Sequence, residues 1–169
     1  SPSDAFAARD AKTFVFLAGT EEQKQKYLPK YASGEWISCF CLTEPEAGSD
    51  AASLRTTARR EGDYYIINGT KRYITNAPVA HTFNVMARTN PDIKGARGIS
   101  SFIVERDTPG ITLGSIDKKM GQSGSMTCDV IFEDVKVPAE NIIGEEGEGF
   151  ITAMKVLDRG RLHISGVSV

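Results

Sequence analysis

The spacing of hydrophobic residues predicts two kinds of structure along the chain. Near the N-terminal end, Thr20 is a candidate helix N-cap, and Gln23 stands three residues later, where the partner of a capping box belongs. The apolar residues that follow fall near one face of a helix. Pro29 predicts a kink or an end within this helix, and Gly34 predicts its C-terminal stop. Residues 1–18, rich in alanine and phenylalanine, are interpreted as a less regular helical segment.

From Trp36 onward, apolar residues alternate with polar ones, which is the pattern of half-buried strands. Turn residues separate these runs, and the pair Asn68 and Gly69 predicts a tight hairpin between two of them. Many short strands at close spacing indicate a small antiparallel β-barrel or sandwich. The predicted strands cover residues 36–42, 53–60, 64–68, 70–75, 82–88, 100–105, 111–115 and 129–133.

The helical pattern returns after a link at residues 144–149 that is rich in glycine and glutamate. Phe150, Met154 and Leu157 then fall on one face of a helix. The chain is therefore predicted to be mainly β, with a small antiparallel barrel or sandwich flanked by partial N- and C-terminal helical segments. The expected parts are the end of an N-terminal helical domain at 1–34, a β middle domain at 35–145 and the truncated start of a C-terminal helical domain at 146–169.

Composition and charge argue against several classes of function. The chain has 169 residues and a net charge of −2 at pH 7, so its bulk charge gives no support to nucleic-acid binding. Its sequence has no apolar run near the roughly 20 residues that a membrane span needs. Cys39 and Cys41 share one face of a predicted strand, and neither they nor Cys128 have the spacing of a metal site. We interpret Cys39 and Cys41 as small buried hydrophobes rather than nucleophiles, and free thiols fit a reducing compartment.

The most informative stretch follows the first predicted strand, at residues 43–50 (TEPEAGSD). Pro45 fixes its own backbone angle, and Gly48 permits conformations that other residues avoid. Ser49 and Asp50 can hydrogen-bond locally. A polar loop with free backbone amides at a strand end suits a ligand that carries phosphates and ring heteroatoms. The same composition also suits a plain surface turn, so composition alone leaves both interpretations open.

The order of residues in this loop resembles the flavin loop of acyl-CoA dehydrogenases. Three further segments agree in order and approximate spacing: residues 67–76 (INGTKRYITN), residues 121–122 followed by 130–138 (VIFEDVKVP), and residues 158–161 (DRGR). The resemblance covers about residues 19–169. It implies an enzyme that oxidises an acyl-CoA to the trans-2-enoyl-CoA by hydride transfer to FAD and passes the electrons to an electron-transferring flavoprotein. It also implies that the β-domain is the middle domain of that family.

The resemblance also implies a set of cofactor-binding residues. The hydroxyl of Thr43 would meet the pyrimidine edge of the flavin, and that of Thr75 would lie near N5. The ring of Tyr73 would pack against the flavin face, where many members of the family have tryptophan. Without the resemblance, each threonine would be interpreted as an ordinary strand residue. The full set is Phe40, Leu42, Thr43, Gly48, Ser49, Tyr73, Ile74 and Thr75.

For the substrate, the resemblance implies that Ser49 also contacts the CoA moiety. It further implies that Asp158 and Arg161 line the channel for the acyl and pantetheine groups. The alternative for Asp158 and Arg161 is a solvated ion pair, because residues three apart lie on one face of a helix.

The reaction needs a carboxylate that removes the α-proton of the substrate. Isovaleryl-CoA and long-chain members of the family carry a glutamate just before the arginine, where this chain has Gly160. No catalytic residue is therefore expected within the chain, and the base is expected beyond Val169. Glu44 and Glu46 are interpreted as loop residues.

The same architecture serves acyl-CoA oxidases and flavin monooxygenases, which form a second hypothesis, and a non-catalytic binding module is a third. The family implies a homo-oligomer, either a tetramer or a dimer. It also implies a cytoplasmic location in a bacterium or the mitochondrial matrix in a eukaryote. The chain itself is expected to be an inactive piece of a longer enzyme.

Overall fold

A computed structural model of the chain describes residues 11–167. Its helices are α1, whose described residues are 11–18, α2 at Glu21–Ser33 and α3 at Gly149–Val167. Its strands are β1 at Ser38–Cys41, β2 at Thr57–Glu61, β3 at Tyr64–Thr75, β4 at Thr82–Arg88, β5 at Ile99–Glu105, β6 at Ile111–Leu113, β7 at Thr127–Pro138 and β8 at Ile142–Ile143. Among the described residues, no helix is long and apolar enough to cross a membrane.

The strands form one eight-stranded sheet in the order β6-β7-β3-β2-β4-β5-β8, with β1 paired in parallel to β4. The longest pairings, β3 with β7 and β4 with β5, are antiparallel. The mainly β prediction is therefore confirmed. The two-residue strand β8 was not predicted, because two residues carry too little pattern to be recognised.

Helix α2 begins as predicted and ends as predicted. The Thr20 Oγ1 accepts a hydrogen bond from the Gln23 amide at 3.2 Å, and the Gln23 Oε1 accepts one from the Thr20 amide at 3.1 Å. The helix continues through Pro29 to Ser33, so it does not end at Pro29. Tyr27 and Tyr31, on either side of Pro29, are both buried, and their packing holds the helix together across the missing hydrogen bond.

Two hydrophobic cores lie on opposite sides of strand β4. The first fills the interior of the curved sheet and includes Phe83 and Val85 of β4, whereas the second lies under the helices and includes Met86. The alternation of side chains along a strand explains this division. The inner face of α3 joins the second core through Ala153 and Val156.

The three cysteines are buried in the first core, which confirms the interpretation of Cys39 and Cys41 as small buried hydrophobes. The Sγ atoms of Cys39 and Cys41 are 3.8 Å apart, as expected for residues on one face of a strand. Burial raises the pKa of the Cys39 thiol well above its ordinary value and that of Cys128 to about 11. The thiol forms therefore persist at neutral pH.

The predicted hairpin at Asn68 and Gly69 is wrong, because β3 runs through both residues as one strand. Between the pairs Ile67–Val135 and Gly69–Phe132, the partner strand β7 carries one extra residue, which makes a β-bulge. Asn68 reaches across this bulge and accepts a hydrogen bond from the Asp134 amide at 2.8 Å. The glycine is needed for close packing, since a Cβ on Gly69 would lie 2.7 Å from the Thr56 Cα.

A buried ion pair fastens the loop after β1 to strand β3. The Lys71 Nζ lies 2.7 Å from the Glu44 Oε1 and also donates to the Leu42 carbonyl at 3.2 Å. The same carboxylate accepts from the backbone amides of Arg55 at 2.6 Å and Thr56 at 2.9 Å. Burial alone would raise the pKa of Glu44, but the Lys71 ammonium and these hydrogen bonds bring that pKa below its ordinary value.

Replacement of one partner should be costly. We expect Glu44→Gln to lower the free energy of unfolding by about 3 kcal/mol or more, because it leaves the Lys71 ammonium buried without a counter-charge. Glu46→Gln, at an acid two residues later whose side chain is 67% exposed, is the matched control. That control should change the free energy by less than about 0.5 kcal/mol. Urea unfolding at pH 7 measures both, and equal midpoints would show that the buried pair does not hold the loop.

The free energy of unfolding should depend on pH through the protonation of Glu44. Its pKa in the folded protein is below the ordinary 4.5, so the unfolded chain takes up the proton more readily. The stabilisation is therefore complete above about pH 4.5 and is lost as the pH falls through the lower, folded-state value. We expect the difference in unfolding free energy between the wild type and Glu44→Gln to shrink below pH 4.5. Urea titrations at a series of acid pH values test this, and a constant difference would contradict it.

Candidate functional site

The loop after β1 has a fixed shape. The Glu44 and Ala47 backbones exchange two hydrogen bonds of 3.1 and 3.2 Å, which closes a tight turn over Pro45. Just before the turn, the Thr43 carbonyl accepts a hydrogen bond of 2.8 Å from the Arg72 amide. The loop and the C-terminal half of β3 therefore meet at Thr43, which brings together two segments that the sequence predicted to bind a flavin.

Strand β3 has a second bulge at this meeting point. Lys71 pairs with Val130 and Ile74 pairs with Cys128, so Arg72 and Tyr73 together lie opposite a single residue of β7. The extra residue lets both Lys71 and Ile74 point into the protein although they are three positions apart. It also turns Tyr73 outward, where its side chain is 61% exposed.

Tyr73 adopts a backbone conformation that is uncommon for a residue with a large side chain. Its φ is +57°, in the left-handed region, and Asn76 at the end of the strand has a φ of +67°. Such conformations cost on the order of 1 kcal/mol or more and collect at functional sites. The strained backbone and the exposed ring single out Tyr73 as a candidate binding residue on physical grounds.

The two predicted hydroxyls belong to residues next to this bulge, since the Thr43 carbonyl accepts from the Arg72 amide and Thr75 follows Tyr73 by two positions. Thr43 and Thr75 are both half-buried. Within residues 11–167 neither hydroxyl makes a hydrogen bond. Each hydroxyl can donate one hydrogen bond and accept others, so each can bind the polar edge of a ligand.

The apolar members of the predicted set differ in what they can contact. Phe40 is half-buried and packs against Phe14, with ring centroids 4.9 Å apart, and Leu42 is also half-buried. Ile74 is 2% exposed and belongs to the first core. Its side chain therefore faces away from solvent, and a contact between Ile74 and a ligand would involve its backbone.

Gly48 and Ser49 lie on the exposed end of the loop. The φ of Gly48 is not in the left-handed region, and a Cβ placed on it would meet nothing within 4 Å. The fold of the chain itself therefore does not require glycine at this position. The space beside Gly48 is open, and a bound molecule can approach the backbone there.

A pocket of about 460 Å³ begins one residue after Ser49. The guanidinium of Arg88 donates to the carbonyls of Ala52 and Ile93 at 2.9 Å each, which joins the two walls of this pocket. Its charged side chains include three cations and one carboxylate, so the pocket favours an anionic ligand. It is lined by Asp50, Ala52, Ser53, Leu54, Arg55, Arg88, Pro91, Ile93, Lys94 and Gly95.

Asp158 and Arg161 form the ion pair that the sequence left as an alternative. The Arg161 guanidinium lies 2.7 Å from the Asp158 carboxylate, and the two side chains are 69% and 73% exposed. They sit on α3, whose inner face packs into the same core as Ala47 of the loop. The structure therefore places them on an element next to the loop, and their proposed role toward a substrate stays a prediction.

Sequence reasoning missed the importance of Glu44 and Lys71. Glu44 was interpreted as a loop residue, yet it is 6% exposed and anchors the loop. A signal was present in the sequence, since Lys71 occupies a position of β3 that the alternation of the preceding residues assigns to the interior. A lysine at an interior position requires a buried partner, and an acidic residue in a nearby loop is the natural candidate.

Comparison with known proteins shows the family. Residues 39–135 match the family described as acyl-CoA dehydrogenase, middle domain. A short-chain specific acyl-CoA dehydrogenase of Clostridium acetobutylicum is 51% identical over 147 residues, which are 87% of this chain and 38% of that protein. The subunit CarC of a caffeyl-CoA reductase-Etf complex of Acetobacterium woodii is 48% identical over 92% of this chain and 41% of its own length.

The fold is shared as well. The butyryl-CoA dehydrogenase structure from Megasphaera elsdenii superimposes with a TM-score of 0.90 at 43% identity, over 94% of this chain and 42% of the other. The chain thus spans about two fifths of the length of the relatives it matches. It belongs to the acyl-CoA dehydrogenase family and contains that family's middle domain.

Proposed function

We propose that the protein containing this chain is an FAD-dependent acyl-CoA dehydrogenase that oxidises an acyl-CoA to the trans-2-enoyl-CoA. The observation that carries the proposal is the contact between the loop after β1 and the bulge of β3. It presents the hydroxyls of Thr43 and Thr75 and the ring of Tyr73 from adjoining segments of the fold. Family membership supplies the reaction class.

The residues at this contact fit a flavin. The polar edge of an isoalloxazine ring needs hydrogen-bonding groups, and Thr43 and Thr75 offer hydroxyls without partners among the residues that the structure describes. The exposed ring of Tyr73 offers an apolar face for stacking. FAD, when bound, supplies the redox chemistry by accepting a hydride at N5. The chain supplies position: Thr43 toward the pyrimidine edge, Thr75 toward N5 and Tyr73 against the ring face.

The pocket beside Ser49 supports acyl-CoA as the substrate. CoA carries several phosphate charges, and the lining of this pocket contains Arg55, which is also paired with Glu46, together with Arg88 and Lys94, against the single carboxylate of Asp50. Ser49 is exposed, precedes the lining residue Asp50 in the sequence and has a hydroxyl for the pantetheine or phosphate groups. Asp158 and Arg161 on α3 would line the channel between this pocket and the flavin.

Proton abstraction is proposed to rest with a carboxylate outside this chain. A general base needs a pKa near the working pH, whereas the pKa of Glu44 is lowered and its oxygens already accept bonds from Lys71, Arg55 and Thr56. Glu46 is exposed and paired with Arg55. Neither acid is suited to remove an α-proton.

The remaining assignments follow the family. We propose an electron-transferring flavoprotein as the electron acceptor, in line with the name of the CarC relative, and a homotetramer or homodimer as the assembly. The protein would lie in the cytoplasm of a bacterium or in the mitochondrial matrix of a eukaryote. The alternatives are an acyl-CoA oxidase or flavin monooxygenase, which would consume oxygen during turnover, and a binding module that would show no turnover.

Flavin binding tests the proposed cofactor site. We expect FAD to bind to the full-length protein and the double variant Thr43→Ala/Thr75→Ala to weaken that binding about tenfold or more. Two lost hydrogen bonds of about 1 kcal/mol each justify that factor. Quenching of flavin fluorescence during titration measures the affinity. Thr112→Ala, at an exposed threonine of edge strand β6, is the matched control and should leave it unchanged.

Two results would count against this prediction. A full-length protein that binds no FAD would end the dehydrogenase proposal. A double variant that binds FAD as tightly as the wild type would remove Thr43 and Thr75 from the cofactor site while leaving the proposal for the enzyme intact.

Substrate affinity tests the pocket. We expect Lys94→Gln in the full-length protein to raise the KM for an acyl-CoA about three- to tenfold with little change in kcat, because one charge–phosphate contact contributes to binding of the ground and transition states alike. The same substitution at Lys136, an exposed residue of β7 that lies over the Tyr64 ring, should leave KM unchanged. Steady-state kinetics with an artificial electron acceptor distinguish them, and equal KM values for both variants would place the CoA phosphates elsewhere.

A further inference from the structure

The bulge of β3 places a cation against the exposed aromatic ring. The guanidinium carbon of Arg72 lies 5.2 Å from the centroid of the Tyr73 ring, within the range of a cation–π interaction. On its other side, the Arg72 Nε lies 3.8 Å from the Asp129 carboxylate. Asp129 is the residue of β7 that both Arg72 and Tyr73 oppose. The three side chains therefore form one group, which the bulge itself assembles.

The Arg72 Nε donates no hydrogen bond within the described part of the chain. That nitrogen is buried and has no hydrogen-bond partner among the described residues, although the side chain as a whole is 42% exposed. Charge attraction to Asp129 and contact with the Tyr73 ring thus determine where the guanidinium lies. The Arg72 amide is also fixed, because it donates to Thr43. Both the backbone and the side chain of Arg72 are tied to the proposed flavin site.

The Tyr73 ring needs such a support. Its side chain is 61% exposed and its backbone is in the left-handed region, so the ring has open space in which to change rotamer. A cation on the ring face restricts that motion.

We propose that Arg72 is a positioning residue, which, tethered by Asp129, holds the Tyr73 ring in the orientation that stacks on the flavin. This inference rests on the proposed function. Arg72 does not touch the cofactor in this arrangement and acts through Tyr73. Because Arg72 contacts Tyr73 and Thr43, its positive charge would also lie near a flavin bound there and would favour the reduced, more electron-rich form.

The test uses the full-length, FAD-loaded protein and the fluorescence of the bound flavin. A stacked tyrosine quenches flavin emission, and Tyr73→Leu gives the value without the ring. We expect Arg72→Met to shift the emission from the wild-type value toward that of Tyr73→Leu. Loss of an exposed cation–π contact corresponds to roughly a two- to fivefold fall in the ratio of docked to displaced ring. Arg72→Lys, which keeps a cation, should restore most of the quenching, and Asp129→Asn should give an intermediate value.

The reduction potential gives a second, independent readout. Arg72→Met should shift the flavin potential to more negative values, and Arg72→Lys should retain the wild-type potential, because the charge is kept. Arg59→Met removes an exposed arginine that pairs with Glu61 on β2, and it is the matched control that should change neither readout. A loss of structure alone would lower FAD content and would not change the emission of each flavin that remains bound.

The outcomes separate this inference from the proposed function. If the wild type binds FAD and Tyr73→Leu raises the emission but Arg72→Met does not, the positioning role of Arg72 is wrong and the flavin site stands. If Tyr73→Leu leaves the emission unchanged, Tyr73 does not stack on the flavin and the inference is overturned with it. A wild type that binds no FAD would instead overturn the proposed function.

Discussion

The buried ion pair between Lys71 and Glu44 determines the geometry of the candidate site. Lys71 lies two residues before Tyr73 on β3, and Glu44 lies one residue after Thr43 in the loop. One contact of 2.7 Å therefore sets both sides of the site relative to each other. An apolar pair of similar volume would avoid the cost of burying two charges. It would, however, leave the Leu42 carbonyl and the Arg55 and Thr56 amides without the partners that this pair supplies, and unsatisfied buried backbone groups are destabilising.

The second bulge of β3 also determines the geometry of the candidate site. In a regular strand, residues two apart point to the same side, so an inward Lys71 would force Tyr73 inward as well. The extra residue breaks that rule, and the cost appears as a left-handed backbone at Tyr73. The burial of Lys71 and Ile74 on either side of the bulge offsets this cost through core packing and the ion pair. The strain thus lies at the residue whose outward ring is the candidate stacking group of the proposed site.

Local sequence patterns predicted a large part of this fold. The alternating residues of β4 gave its bounds of 82–88 correctly, and Thr20 with Gln23 predicted the start of α2, because both signals arise within one element. The predictions failed where contacts with other parts of the fold determine the local structure. Asn68 and Gly69 read as a hairpin, but Thr56 and Asp134 on other segments make them part of a bulged strand. Pro29 lacks a hydrogen bond, but the packing of Tyr27 and Tyr31 outweighs that loss.

The candidate site, like the fold, could be predicted only in part from the sequence. The residue types that suit a flavin were visible in the loop and in residues 67–76, since hydroxyls and an aromatic ring can be read from a sequence. Their mutual placement depends on the pairing of Lys71 with Glu44, which joins two segments that are 27 residues apart in the sequence. The contacts of Glu44 also bear on whether it could act as a general base. An anchor must stay ionised and saturated with donors, whereas a base must release those donors and take a proton near neutral pH. The features that let Glu44 hold the loop therefore make it unsuited to proton transfer, in line with the proposal that the base is a carboxylate outside this chain.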